Sequence, residues 1–470
     1  MSFTCKDIEI QISQRNPFQE DKLDREKLAP VLTSIADAYA HSGAVLALDG
    51  EWGAGKTTFV KMWRQYLINK GYKTLYFNAW ATDFIEDPLI ALMGELKEVI
   101  KKDNNFKTLC QIGIKIGGTI AKATTKKLIG LDSDIIKESI DDVTNILQEQ
   151  IKSYNERKVE LEDFKNKLGE YVASTALNNE HPIVFFIDEL DRCNPHYAVK
   201  LLERVKHLFE VPNIIFVLAV NIKQLQYAIQ GYYGSSNIDG QEYLKRFIDL
   251  NYTLPTPDLK KYTQALFKAH GFSDFFYNKM RTEYTKSEVD RFTSISHDLI
   301  SYSNTNLRLA NKIFAYTRIV LQEYSIDSIF HADLLFLLCF FKITNPDLYN
   351  RIQNGDFSIQ GLIDILEITL PTRLFNQGLY SFTHSYLCWA VAALILRYNY
   401  TSRGILRDKD FMAKAIDHDG RYEFPFHTKK FNKDELNKAL SSYINHRYSD
   451  YEYGLKDMLD RIDLTSELQL

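Results

Sequence analysis

The stretch LALDGEWGAGKTTFVKMW, Leu46 to Trp63, constrains this chain more than any other. An apolar run ends in Asp49, a glycine-rich turn follows, and a helical pattern begins at Lys56. Gly50, Gly53, Gly55, Lys56 and Thr57 satisfy G-x-x-x-x-G-K-[ST], a loop that turns backbone N–H groups inward around phosphate oxygens. Each part has a task. The glycines permit the turn, the next helix adds its positive N-terminal end, Lys56 sets a cation against the outer phosphates, and the Thr57 hydroxyl can ligate Mg²⁺. The candidate nucleotide-binding segment is therefore Gly50, Glu51, Trp52, Gly53, Ala54, Gly55, Lys56, Thr57 and Thr58. Such a loop needs a strand behind it and a helix in front, which commits the chain to an α/β fold.

Five β-like runs fit that fold: GAVLALD (43–49), KTLYFN (73–78), PIVFFID (182–188), NIIFVLAV (213–220) and DLNYTLP (249–255). Short, nearly continuous apolar runs separated by helical patterns predict a doubly wound parallel sheet covered on both faces. Between the second and third runs lie about 100 residues, more than one crossover helix needs. There Ile140, Val143, Leu147, Ile151, Tyr154, Leu161, Phe164, Leu168 and Tyr171 recur at helical spacing in a charged background, which predicts an amphipathic, coiled-coil-like insertion. The expected organisation is a lead-in over 1–43, a core over 44–255 with the insertion at about 99–180, a helical lid over 256–325 and a helical domain over 326–470.

A second motif, IVFFIDELDRC, places Asp188 at the carboxyl end of a buried strand, where ligands of open α/β sheets bind. Asp188 is the second candidate Mg²⁺ residue beside Thr57, and Glu189 is the candidate general base that polarises an attacking water. Asp191 and Arg192 are either an ion pair bracing the following turn or direct members of the site. Asn221, ending NIIFVLAVN, either reaches the γ-phosphate or caps the next turn; Asn78 is a weaker candidate of the same kind, and Trp80 is expected in the core. Lys245 and Arg246 precede the fifth run, where an arginine can act on a neighbouring copy's nucleotide. Arg308 in NTNLRLANKIF opens a helix beyond the sheet and is a candidate γ-phosphate sensor.

The totals narrow the function classes. A net charge of −4 over 470 residues excludes a chain-wide basic surface, leaving nucleic acid to a local patch for which the sequence offers no support. Cys5, Cys110, Cys193, Cys339 and Cys388 are scattered, which fits free thiols and, with no apolar segment of signal-peptide length at the N-terminus, a cytoplasmic protein. Leu374–Leu396 and Leu334–Phe341 are too polar or too short for the about 20 apolar residues of a membrane span and read as buried helices. His331, His384 and His446 are isolated and read as structural. Tyr-rich HRYSDYEYGLKD interleaves acids with its basic residues and reads as a solvated or partner-facing helix. No short Arg-bearing lid marks a small-molecule kinase.

Together, NPFQEDKLDREKLAPVLTSIADAY, DGEWGAGKTTFVKMW, YFNAWATDFIEDPLIALMGEL, FFIDELDRCNP, VLAVN, EYLKRFIDLNYTLP and TNLRLANKIF resemble the KAP family of P-loop NTPases over about residues 15–320. The resemblance implies an additional-strand, AAA+-related ATPase that takes ATP and Mg²⁺ and works as a nucleotide-driven switch. Many members carry transmembrane helices in the insertion, whereas this one is amphipathic and charged; Glu189 and Asn221 stand where many members have Asp. Bacterial members are often associated with exclusion of phages, which makes anti-phage defence the expected setting. The expected partners are proteins that meet the insertion and the C-terminal helices, and further copies of the chain. The alternative is a nucleotide-gated oligomeric scaffold in which binding rather than hydrolysis matters.

Overall fold

A computed structural model describes residues 11–99 except 86, a piece of the insertion (159, 162–170 and 172), residues 181–256 and, with short gaps, 259–466. The chain divides into two compact units, Ile10–Thr256 and Pro257–Leu470.

The first unit is built on five parallel strands, β1 (Ala44–Asp49), β2 (Thr74–Asn78), β3 (Ile183–Asp188), β4 (Ile214–Val220) and β5 (Leu250–Thr253), in the order β2-β3-β4-β1-β5. β4 therefore lies between the two motif strands, as expected of an additional-strand sheet. Every residue of β3 and β4 is buried, which explains their unbroken apolar sequences. β5 differs from its reading as a buried run: it is an edge strand that alternates half-buried and exposed residues. In-register pairing aligns Asn78 with Asp188, Asp188 with Ala219, and Asp49 with Val220 and Thr253. The polar residues that end these strands thus share one edge of the sheet.

Helices cover both faces. On one, α1 (Leu28–Ala38) and α2 (Lys56–Asn69) pack on Leu46, Leu48, Val184, Phe186 and Val217. Phe59, Trp63 and Leu67 recur every four residues and so fall on one side of α2. Trp63 meets Phe186 edge-on at 5.2 Å, and its indole N–H donates to Thr33 of α1 at 3.0 Å. The helix that carries Lys56 and Thr57 is thereby fixed to the sheet. On the other face lie α3 (Pro88–Val99), α4 (Pro195–Leu208), α5 (Ile222–Tyr233) and α6 (Gly240–Leu244). Of the insertion, residues 162–170 are helical, and Phe164, Leu168 and Val172 are buried in this second layer, with Phe164 against Phe209. The pattern from Ile140 to Tyr154 lies outside the described residues, as do Cys5, Cys110 and His446 and the His384 side chain.

The second unit is helical, and one apolar core runs from Leu266 to Ile462. Helix Ala332–Thr344 is buried at every residue from Ala332 to Phe341, and helix Phe382–Asn399 is buried at Leu387, Cys388 and Ala390–Leu396. Both are interior helices, which is why they are apolar all round. Among the described residues no helix is long and apolar enough to cross a membrane.

Candidate nucleotide site

The glycine-rich turn from β1 into α2 adopts the conformation its residues permit. Gly53 and Gly55 take φ of 77° and 83°, a region that L side chains adopt only with strain. Gly55 caps α2, so Lys56 is its first residue. The Lys56 ammonium donates to the carbonyls of Gly50 at 2.5 Å and Glu51 at 3.2 Å, so the loop closes around it. Burial pushes its pKa down, while Asp191, Asp188 and Asp49 oppose that shift. The remaining loop side chains tie the turn to the rest of the sheet edge. Glu51 accepts from Asn221 Nδ2 at 3.0 Å, and the Trp52 indole donates to Asp191 at 2.5 Å. Thr57 and Thr58 occupy the first turn of α2 and are half-buried.

Asp188 is 1 % exposed at the tip of β3. Its carboxylate accepts from the Tyr76 hydroxyl at 2.9 Å and from the Glu189 N–H at 2.9 Å, and the Thr57 hydroxyl stands near enough to favour its charged form. Burial raises the Asp188 pKa against these hydrogen bonds. Thr57 and Asp188, far apart in sequence, thus form one hard-oxygen donor set of the kind Mg²⁺ takes.

Glu189 follows with φ 61° and ψ 24°, one of three non-glycine residues with positive φ among those described. A left-handed turn there costs about 1–2 kcal/mol for an L residue, and it swings the side chain off the strand line followed by Asp188. The Glu189 carboxylate is held at both oxygens: Asn78 Nδ2 donates to Oε2 at 3.0 Å, and Arg192 Nη1 pairs with Oε1 at 2.8 Å. Asp191 and Arg192 are therefore not partners of each other. Asp191 binds the loop through Trp52, and Arg192 binds the candidate base.

Asn221 takes the capping alternative and also meets the loop. Its Oδ1 caps α5 by accepting from the Gln224 N–H at 3.2 Å, while its Nδ2 reaches Glu51 of the loop. Asn78 holds Glu189 through its Nδ2. Trp80, expected in the core, is 51 % exposed, because a short helical turn at Trp80–Thr82 lifts it off the end of β2 and over the Arg192 guanidinium. Lys245 pairs with Glu242, and Arg246 is exposed just after α6. Arg308 is exposed at the second residue of helix Leu307–Gln322 in the second unit.

One residue that meets the loop was not among the candidate site residues. Arg25 in the lead-in is 3 % exposed, and its Nη1 donates to the Ala54 carbonyl of the loop at 2.7 Å. Asp21 accepts the backbone N–H groups of Leu23, Arg25 and Glu26, and Asp24 takes φ 53°. The spacing of Asp21 and Arg25 in EDKLDREK was the available signal, too short to separate from an ordinary charged loop.

Comparison with known proteins agrees with this geometry. The KAP family P-loop domain matches residues 25–323. Phage T7 exclusion protein of Escherichia coli (strain K12) is 22 % identical over 242 residues, which cover 48 % of this chain and 32 % of that protein. The aligned part is thus about a third of that relative's length. Among solved structures, the Aeropyrum pernix ORC2 protein in its ADPNP-ADP complexes aligns over 95 % of each chain at 11 % identity and TM-score 0.32. Cdc6p from Pyrobaculum aerophilum aligns over 93 % of this chain and 96 % of that one at 11 % identity and TM-score 0.34. Scores this low carry no argument. With a strand-loop-helix phosphate site, a buried acidic strand tip and a family match spanning both, the chain belongs to the KAP family of P-loop NTPases.

Proposed function

We propose that the protein binds and hydrolyses ATP and works as a nucleotide-driven switch. The observation that carries this reading is the meeting of Thr57 and Asp188, with Glu189 beside them and Lys56 inside the loop. Lys56 and the loop amides bind the phosphates. Thr57 and Asp188 hold Mg²⁺, which when bound neutralises charge on the outer phosphate oxygens. Glu189 takes the proton of the attacking water, and each of its oxygens keeps a lone pair for that purpose beyond the one given to Asn78 or Arg192. Asn221 couples the tip of β4 to the loop through Glu51. Arg246, from a neighbouring copy, and Arg308 enter on sequence position as cations for the γ-phosphate.

The phage-exclusion relative supports a role in anti-phage defence, to which the sequence reading adds a cytoplasmic setting and protein partners or further copies of the chain. Titration with ATP and a steady-state phosphate-release assay test the chemistry. Lys56→Ala is expected to abolish ATP binding, and Glu189→Gln to bind ATP without turnover. Turnover by the Glu189 variant at the wild-type rate would refute the base assignment. Plaque counts on cells making the wild type or Lys56→Ala test the setting, with protection expected only from the wild type.

A further inference from the structure

The segment that ends β2, Asn78-Ala79-Trp80, serves Glu189 twice. Asn78 grips Oε2 directly, and its own orientation is fixed because Oδ1 accepts the Ala81 N–H at 3.1 Å, which leaves the amide NH₂ facing the carboxylate. Trp80 acts one step removed. Its ring lies 5.6 Å from the Arg192 guanidinium carbon, within cation–π range, while Arg192 pairs with Oε1 at 2.8 Å. Arg192 is partly solvated, with 26 % of its side chain exposed, so an unsupported guanidinium there would sample other rotamers. A flat aromatic face on one side and a carboxylate at its tip define one position for it.

Trp80 is half exposed although it is a large aromatic residue, so burial is not what fixes its place. Its cation–π contact with Arg192 leads to the candidate base. The second oxygen of Glu189 is therefore held from the molecular surface, through Trp80 and Arg192.

We propose that Trp80 is a positioning residue for the hydrolytic reaction, holding Arg192 so that Arg192 and Asn78 together fix the Glu189 carboxylate. This role rests on the hydrolytic function proposed above. Because neither Trp80 nor Arg192 is placed on the nucleotide, their loss acts on turnover and leaves ATP affinity as it was. An exposed cation–π contact corresponds to roughly a 2- to 5-fold effect, and a charge-assisted hydrogen bond to roughly 10-fold or more.

The test is steady-state ATP hydrolysis and ATP affinity for the full chain carrying Trp80→Ala, Trp80→Phe, Arg192→Ala, and Trp80→Ala with Arg192→Ala together. Trp80→Ala is expected to lower kcat about 3-fold with KM and melting temperature unchanged, and Trp80→Phe, which keeps a ring face, to restore it. Arg192→Ala is expected to lower kcat about 10-fold. In the double variant the Trp80 change should add nothing, because its route to Glu189 is already gone. Multiplying effects, or a Trp80→Ala kcat equal to the wild type, would overturn the positioning role while leaving hydrolysis intact. A wild-type chain without turnover, or Glu189→Gln turning over normally, would instead overturn the hydrolytic reading and this role with it.

Discussion

Replacing Arg25 by Met should make the protein more stable and its nucleotide site worse. Arg25 is buried, and two of its guanidinium nitrogens, Nε and Nη2, have no hydrogen-bond partner in the protein. Burial lowers its pKa from the usual arginine range to about 10, with Asp21 opposing the shift. A cation whose folded pKa lies below its unfolded value is penalised in the folded state. The penalty is complete below about pH 10 and fades as pH rises from there toward the unfolded value. About 2.5 pKa units correspond to about 3 kcal/mol at neutral pH. Methionine has similar reach and no charge, so most of that penalty is removed, less the bond to the Ala54 carbonyl, worth about 1.5 kcal/mol or more. The expected net gain is about 1–2 kcal/mol in urea denaturation at pH 7. ATP affinity, measured in parallel, should fall, because the phosphate loop loses its tether at Ala54. A destabilised Arg25→Met, or one with unchanged ATP affinity, would refute the reasoning.

Two further outcomes test the packing around the site and the helical unit. Trp63→Ala removes a fully buried ring between α2 and β3 together with its hydrogen bond to Thr33, and should cost about 3–5 kcal/mol in denaturant unfolding. Asp298 is buried in the second unit, and burial raises its pKa from 3.8 to about 6. The folded state then favours the protonated form, so stability falls between about pH 4 and pH 6 and stays lower above that window. Asp298→Asn should gain up to about 3 kcal/mol at pH 7.5 and little at pH 4, read from melting curves at both.

The sheet was legible because its strands carry its signal locally. Three of the five runs, β1, β3 and β4, are buried on both faces, so their apolar residues mark strand ends to within a residue or so, and Asp188 and Asn221 follow as the polar groups at the strand tips. The loop was legible for the same reason: its glycines, Lys56 and Thr57 are adjacent in sequence. Contacts between segments were not. Nothing in WATD says that Trp80 leaves the core to meet Arg192, and an adjacent Asp191–Arg192 pair suggests mutual bonding until the short turn at Leu190–Arg192 folds Arg192 back on Glu189. Arg25 lies 29 residues from its partner Ala54, a separation at which no periodic pattern operates.

The costs in this unit fall on one edge. Asp188 is a desolvated carboxylate, Glu189 is a non-glycine residue in a left-handed turn, and Arg25 is a buried guanidinium with two open donors. Each would be cheaper as another residue, and all three border the phosphate loop or the strand tip that faces it. Stability alone does not favour this arrangement, since a hydrophobic residue at 25 or a glycine at 189 would relieve it. A site that must place a base, a cation-binding carboxylate and a phosphate loop within fixed distances does favour it, because each costly group also restricts its neighbour. Arg25 restrains the loop at Ala54, the Glu189 N–H binds Asp188, and the left-handed turn carries the Glu189 carboxylate between Asn78 and Arg192. The strain and the proposed chemistry therefore share one cause, and substitutions that relieve the first are expected to weaken the second.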